Sequence, residues 1–249
     1  MTNQDWWQKA FNKEYFEAFD YIYSEKRGIK ETEFVIKKSG IKKDSKVLDL
    51  ACGQGRHSIP LAKRGIKVTA IDFSNFLINK AKESAIKSKA SITFLKKDIR
   101  AYSKKNYFDL VILLGNSFGY FSDKDNERVI VNVNSSLKKG GKFILDLSNT
   151  PSLIKNIGEE TNVQSTPYGK IISKTLSFNP ETFHAKTQWQ IIHNKKKTKF
   201  IGTLRFYTPP EINSLLKKHN FIIKKTYGSF NGEPYSPKTK RYIVIAKKI

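Results

Sequence analysis

The segment VLDLACGQGRH places Gly53 and Gly55 directly after a short apolar run and before a stretch with helical character. Glycines there let the chain turn sharply and let backbone N–H groups approach a ligand without an intervening Cβ. Asp72 closes the next apolar run, KVTAID, where a carboxylate can accept both hydroxyls of a ribose. Asp98, in FLKKDIR, follows a third run. Each acid also has a plain structural reading, since Asp49 can satisfy loop N–H groups, Asp72 can cap the next helix and Asp98 can end a strand. Their joint occurrence at the ends of three successive strands, facing one crevice of a doubly wound sheet, points to a nucleoside-bearing ligand.

The elements around these residues follow from periodicity. From Lys46 short apolar runs alternate with amphipathic stretches, the pattern of βαβ units and a mostly parallel sheet. HSIPLAKRG reads as a helix with Pro60 in its first turn and Gly65 as its stop. Ser74 is a fitting N-cap for a helix whose apolar face is Leu77, Ile78, Ala81 and Ala85. FDLVILL, apolar almost throughout, predicts a central strand covered on both faces. Asp123 or Asp125 can open a helix carrying Val129, Ile130, Val133 and Leu137 and ended by Gly140 and Gly141. The fifth strand is KFILDL. Between about residues 159 and 207 the period changes to that of an inserted antiparallel β cap. Thr208 to Glu211 matches a capping box, and FIIKKTY and RYIVIA predict a closing antiparallel pair.

The order of these parts, from Lys46 to Ala246, resembles the class I (Rossmann-like) S-adenosylmethionine-dependent methyltransferases. DLACGQG is similar to that family's acidic-x-Gly-x-Gly-x-Gly motif, with Ala51 in place of the first glycine, a change expected to cost little. The resemblance implies an α/β fold: a doubly wound, seven-stranded, mostly parallel sheet with an antiparallel terminal strand, a helical lid over 1–44, a core over 45–150, a β cap over 151–207 and the rest of the core over 208–249. It implies S-adenosylmethionine as cofactor. Asp49 would hold the methionyl amino group, Gly53 and Gly55 would admit the backbone, and Asp72 with Phe73 would take the ribose and one adenine face. Asp98 would accept from the adenine amino group, Ile99 would pack on its ring, and Leu114, Gly115 and Asn116 would lie beside the sulfonium.

For the acceptor, Asn116, Ser117 and Tyr120 after the fourth strand, Asp146 after the fifth, His184 and Arg205 in the cap and Glu233 before the last strand are candidates. None stands out as a general base. Trp7, Phe11 and Tyr15 recur every four residues, the spacing of an amphipathic helix packed on the body. The same segment can roof the ligand, with Tyr15, Tyr21, Tyr23 or Arg27 touching it. GNSFGYF lacks the Asn/Asp-Pro-Pro-aromatic motif of base-amino methylation, and no Pro-Cys nucleophile is present, so methylation of N or O on a small-molecule acceptor is the expected activity. Alternatives are an RNA or protein methyltransferase and a non-catalytic binder of the same cofactor. A reductase using NAD is a further one, since Gly53, Gly55, Ser58 and Asp72 also suit a dinucleotide.

Composition sets limits on these readings. At 249 residues with 39% hydrophobic and 12% aromatic side chains the chain can bury a sizeable core. The formal charge is +24, yet only seven of the 46 basic residues are arginine and most lysines are scattered, Lys195 to Lys197 being the longest cluster. That is the distribution of a solvated surface, whereas a nucleic-acid reader concentrates charge on one face, so nucleic acid is not the favoured partner. One cysteine, Cys52, excludes an intrachain disulfide and cysteine-rich zinc chemistry. No metal and no membrane partner is expected, and the expected compartment is the cytoplasm.

Overall fold

The computed structural model describes residues 6–19, 24–154, 161–166, 169–193 and 196–249. Tyr21, Tyr23 and Lys195 lie outside the described residues. Three helices come first: α1 (Trp6–Ala10), α2 (Lys13–Phe19) and α3 (Glu25–Ser39). The spacing of Trp7, Phe11 and Tyr15 predicts one amphipathic helix, but Asn12 divides it, its Oδ1 accepting the Tyr15 N–H at 3.0 Å and so capping a fresh helix.

The core alternates strand and helix in the order β1 (Lys46–Leu50), α4 (Ser58–Lys63), β2 (Lys67–Asp72), α5 (Asn75–Lys87), β3 (Ile92–Lys96), β4 (Phe108–Leu113), α6 (Asp123–Ser136) and β5 (Leu137–Ser148). A short helix, α7 (Thr150–Ile154), follows, and then a second group of strands: β6 (Thr161–Thr166), β7 (Gly169–Asn179), β8 (His184–His193) and β9 (Lys196–Arg205). The chain returns to the core through α8 (Pro209–Lys218), β10 (Phe221–Tyr227) and β11 (Arg241–Lys248).

The main sheet runs β10-β11-β5-β4-β1-β2-β3, with β1 to β5 parallel and β11 antiparallel to both of its neighbours. The strand order reverses between β1 and β4, which opens a crevice outside their carboxyl ends. β11 slots between β5 and β10, leaving β10 on the edge.

Local sequence sets the helix limits. Ser74 Oγ accepts the Leu77 N–H at 3.3 Å, and Leu77, Ile78, Ala81 and Ala85 are all buried. Thr208 and Glu211 form the reciprocal capping box at α8. α6 is capped by Ser122, with Asp123 and Asp125 in its first turn, where they suit the positive end of the helix dipole. This helix stops at Ser136, short of the glycines read as its terminator. Leu137 already pairs with Phe108, and the register shift between Phe108 and Leu110 takes up the Lys138 to Gly141 stretch within β5.

Both faces of the sheet are covered. Leu48, Val111 and Phe143 pack towards α6 and α8, while Val47, Leu110 and Ile144 pack towards α3 and α4. The second sheet is an antiparallel meander, β6-β7-β8-β9. It meets the first helix closely: Trp6 Nε1 donates to the Thr203 carbonyl at 3.1 Å, and a Cβ on Gly202 would lie 2.4 Å from the Trp6 ring, so only glycine fits there. Among the described residues no helix is long and apolar enough to cross a membrane.

Candidate functional site

Two adjoining cavities lie at the carboxyl ends of the parallel strands. The smaller, of about 130 Å³, is bordered by the glycine loop, Asp72, Phe73, Asp98, Ile99 and Leu114. The larger, of about 330 Å³, runs on beneath the second sheet between Trp6, Trp189, Phe200, Asn116 and Arg241. Phe11, Tyr15, Gly115 and Tyr120 border both.

The glycine loop is fixed by the acids of the first two strands. Asp49 is fully buried behind it and receives the Ser58 hydroxyl at 2.5 Å. Burial raises its pKa to about 7, against the opposing pull of Ser58 and the Arg56 charge. Asp72 accepts the N–H groups of Gly53 at 2.9 Å and Ser74 at 2.8 Å, and burial lifts it to about 6 against those bonds. Burial also pushes the Cys52 thiol up, so it stays an unreactive thiol. Ala51 corrects the expectation that alanine costs little in this motif: it stands at φ +53°, in the left-handed region where a Cβ crowds the following carbonyl.

Asp98 caps a single 3-10 turn by accepting the Arg100 N–H at 2.8 Å, and its carboxylate is also gripped by the Arg100 side chain at 2.7 to 3.2 Å. Arg100 then lies over the Phe121 ring at 4.4 Å and the Trp7 ring at 5.4 Å. Trp7 meets Phe73 edge-on at 4.5 Å, which closes an aromatic roof over the smaller cavity. The residue two places after Asp98, Arg100, carries the only local signal for this clamp.

Behind the loop, Glu31 of α3 gathers three partners: Arg27 Nε at 2.7 Å, Arg56 Nη1 and His57 Nε2 at 2.7 Å. Burial alone would raise the Glu31 pKa, yet its bond to His57, the neighbouring Arg56 charge and its bond to Arg27 bring it down to about 2. Burial, helped by Arg56, drops His57 to about 4, so the ring is neutral.

At the end of β5, Asp146 receives Arg241 Nε at 2.7 Å, a second bond from Arg241 Nη2, and the Gly115 N–H at 2.8 Å. Its carboxylate therefore braces the loop after β4. Asn116 stands at φ +62°, with its Oδ1 accepting the Ser148 N–H at 2.8 Å.

Of the acceptor candidates, Tyr15, Ser117 and Tyr120 border the smaller cavity and Tyr15, Asn116 and Tyr120 the larger. His184, Arg205 and Glu233 border neither. Arg205 is buried and bound to Glu211 and Asp123 at the root of the second sheet, and His184 faces it across β8 and β9. Glu233 is exposed in the loop before β11, where its carbonyl accepts the Gly228 N–H at 2.8 Å. Lys196 and Lys197, at the start of β9, also border neither cavity.

Residues 47–141 match the family model described as a methyltransferase domain. A glycine/sarcosine N-methyltransferase of Aphanothece halophytica is 33% identical over 153 residues, covering 60% of this chain and 58% of that protein. The putative methyltransferase YqeM of Bacillus subtilis (strain 168) is 24% identical over 215 residues, covering 82% of this chain and 84% of that one. The chain thus spans little more than half the length of the first of these relatives. Among solved structures, an S-adenosylmethionine-dependent methyltransferase from Clostridium acetobutylicum superposes with a TM-score of 0.77 at 21% identity, over 88% of this chain and 91% of that one. The fold is that of the class I, S-adenosylmethionine-dependent methyltransferases.

Proposed function

From the premise of a class I methyltransferase domain, we propose that this chain transfers the methyl group of S-adenosylmethionine to a nitrogen or oxygen of a small-molecule acceptor held in the larger cavity. The observation that carries the reading is the meeting of the two cavities at Phe11, Tyr15, Gly115 and Tyr120. One has acids suited to a nucleoside and the other has aromatic walls suited to a compact organic molecule. Relatives named as glycine/sarcosine N-methyltransferases support a small acceptor.

The residues present fit the donor. A Cβ on Gly53 would meet nothing within 4 Å, so the loop backbone is open to close approach. Asp72 gives one lone pair each to Gly53 and Ser74 and, with about four acceptor sites on a carboxylate, keeps capacity for ribose hydroxyls. Phe73, Ile99 and Leu114 supply apolar surface for the base and thioether, and Asp98 supplies an acceptor for the adenine amino group. Asp49, Ala51 and Gly55 shape the loop from behind, and an ammonium brought near Asp49 would favour its ionised form. Gly115 borders both cavities and Asn116 the larger one.

When bound, S-adenosylmethionine supplies a methyl group on a sulfonium whose departure leaves a neutral thioether, so alignment is the main demand on the protein. Tyr15 and Tyr120 align the acceptor at the junction, with Ser117 beside them on the smaller cavity, and the aromatic rings from Trp7 to Phe121 cover the donor. The test is calorimetric titration of S-adenosylhomocysteine into the parent protein and Asp72→Ala. The parent should bind, and the variant should bind about tenfold or more weakly with its cooperative unfolding retained. Equal affinities would remove the ribose assignment; failure of the parent to bind would remove the function.

A further inference from the structure

Resting on that reading, we infer that Arg100 is a positioning residue for the base of the donor: its guanidinium holds the Asp98 carboxylate so that one acceptor remains for the adenine amino group, and so sets a preference for a 6-aminopurine. A carboxylate has about four acceptor sites. Oδ1 takes the Arg100 N–H at 2.8 Å, Oδ2 takes Nη2 at 2.7 Å, and Nε lies between the two oxygens at 3.2 and 3.0 Å. With the planar fork counted as one bond to each oxygen, the fork and the N–H leave about one site, on Oδ2. Asp98 borders the smaller cavity and Arg100 does not, so Arg100 reaches a bound base only through its neighbours.

The carboxylate needs this hold. The Asp98 side chain is 28% exposed, too open for packing alone to fix its rotamer. Among the described residues no other side chain bonds to it, although Lys97 also borders the cavity. Arg100 is itself pinned on its far edge, where Nη1 lies 3.3 Å from Asp125 Oδ2 in the first turn of α6. Its guanidinium carbon lies over the Phe121 and Trp7 rings. A guanidinium bonded on both edges and covered on its face cannot swing away from Asp98 without breaking all of these contacts.

The consequence is selection by hydrogen-bond donor. An exocyclic amino group gives the remaining acceptor an N–H, in a charge-assisted bond. A base with hydrogen at that position leaves a desolvated carboxylate oxygen unpaired. An Asp98 free to rotate would turn its oxygens to solvent and lose little with either base.

Calorimetry on the full chain compares S-adenosylhomocysteine with its deamino analogue, in which hydrogen replaces the adenine amino group, for the parent, Arg100→Met, Arg100→Lys and Phe121→Leu. The parent should favour S-adenosylhomocysteine at least about tenfold. Arg100→Met should cut that preference to within about threefold, and Arg100→Lys, which keeps a charge but cannot span both oxygens, should give an intermediate value. Phe121→Leu should weaken both ligands by a common factor and keep the parent's preference, since it disturbs the roof alone. Should Arg100→Met fail to fold, Arg100→Lys decides by itself. A preference kept in the folded Arg100 variants, or an equal fall in Phe121→Leu, overturns the inference. Binding of S-adenosylhomocysteine by the parent with no preference over the analogue overturns the inference alone, whereas failure of the parent to bind it overturns the function and the inference together.

Discussion

Trp6 of the first helix and Trp189 of the second sheet stack with their centroids 5.5 Å apart and their planes 14° apart. The same indole meets Tyr120 of the core at 5.3 Å, so one side chain ties together the amino-terminal helix, the inserted sheet and the loop after β4. Its neighbour Trp7 is buried and borders the smaller cavity. Seating of the first helix therefore also sets the position of Trp7 in the roof of the smaller cavity.

Trp6→Ala removes the stack and the bond to Thr203 but leaves the main sheet untouched. The expected outcome is faster amide exchange over residues 6–19 and about tenfold weaker binding of S-adenosylhomocysteine, because Trp7 loses its anchor. Exchange mass spectrometry and calorimetry on the same sample check both. Unchanged exchange would mean that α1 is held by something other than this ring.

Much of this architecture was legible in the sequence, for physical reasons. α5 and α8 carry regular apolar faces and side-chain caps, and three acids at successive strand ends must share an edge once the strands are parallel. What was illegible depends on direction and register. Arg241 reaches Asp146 only because β11 enters antiparallel beside β5, and Glu31 finds Arg56 and His57 from a helix that precedes the sheet. His184, Arg205 and Glu233 are close to the crevice in chain order, but their side chains or backbone are engaged elsewhere. Ala51 resembled a harmless replacement because a motif does not print φ.

Ala51→Gly tests that backbone strain. A left-handed alanine costs roughly 1 to 2 kcal/mol, and the added freedom of glycine in the unfolded chain returns roughly 0.4 to 1 of that. Stabilisation by about 0.5 to 1 kcal/mol is expected in urea unfolding, with cofactor affinity unchanged or higher. A destabilised variant would show that the Ala51 methyl packs with more effect than its backbone strains.

Glu31→Gln tests the three-partner carboxylate. The variant leaves two guanidinium groups and a neutral imidazole around a neutral amide, with Arg56 nearly buried. Breaking one side of a buried ion pair costs about 3 to 5 kcal/mol. Denaturant unfolding should show a loss of that order, and the His57 pKa, read by NMR, should fall further as its anionic partner disappears. A rise in that pKa would contradict the arrangement.

Asp72→Asn isolates a pH dependence. Burial lifts the Asp72 pKa from 3.8 to about 6, so between these values the folded state holds a proton that the unfolded state has released. A group whose folded pKa is raised adds stability that is complete below the unfolded value and disappears as pH rises through the folded one. The parent therefore loses the Asp72 contribution between pH 4 and pH 6, whereas Asn has nothing to titrate. Asparagine also accepts fewer bonds from Gly53 and Ser74, but that deficit does not vary with pH. The stability difference between variant and parent should shift in the variant's favour by about 2 kcal/mol from pH 4 to pH 7, without ligand. Because Asp49 feels the Asp72 charge, the shift also includes relief of that repulsion. Parallel urea titrations across this range measure it, and a difference that stays flat would mean that Asp72 ionises as readily in the folded protein as in water.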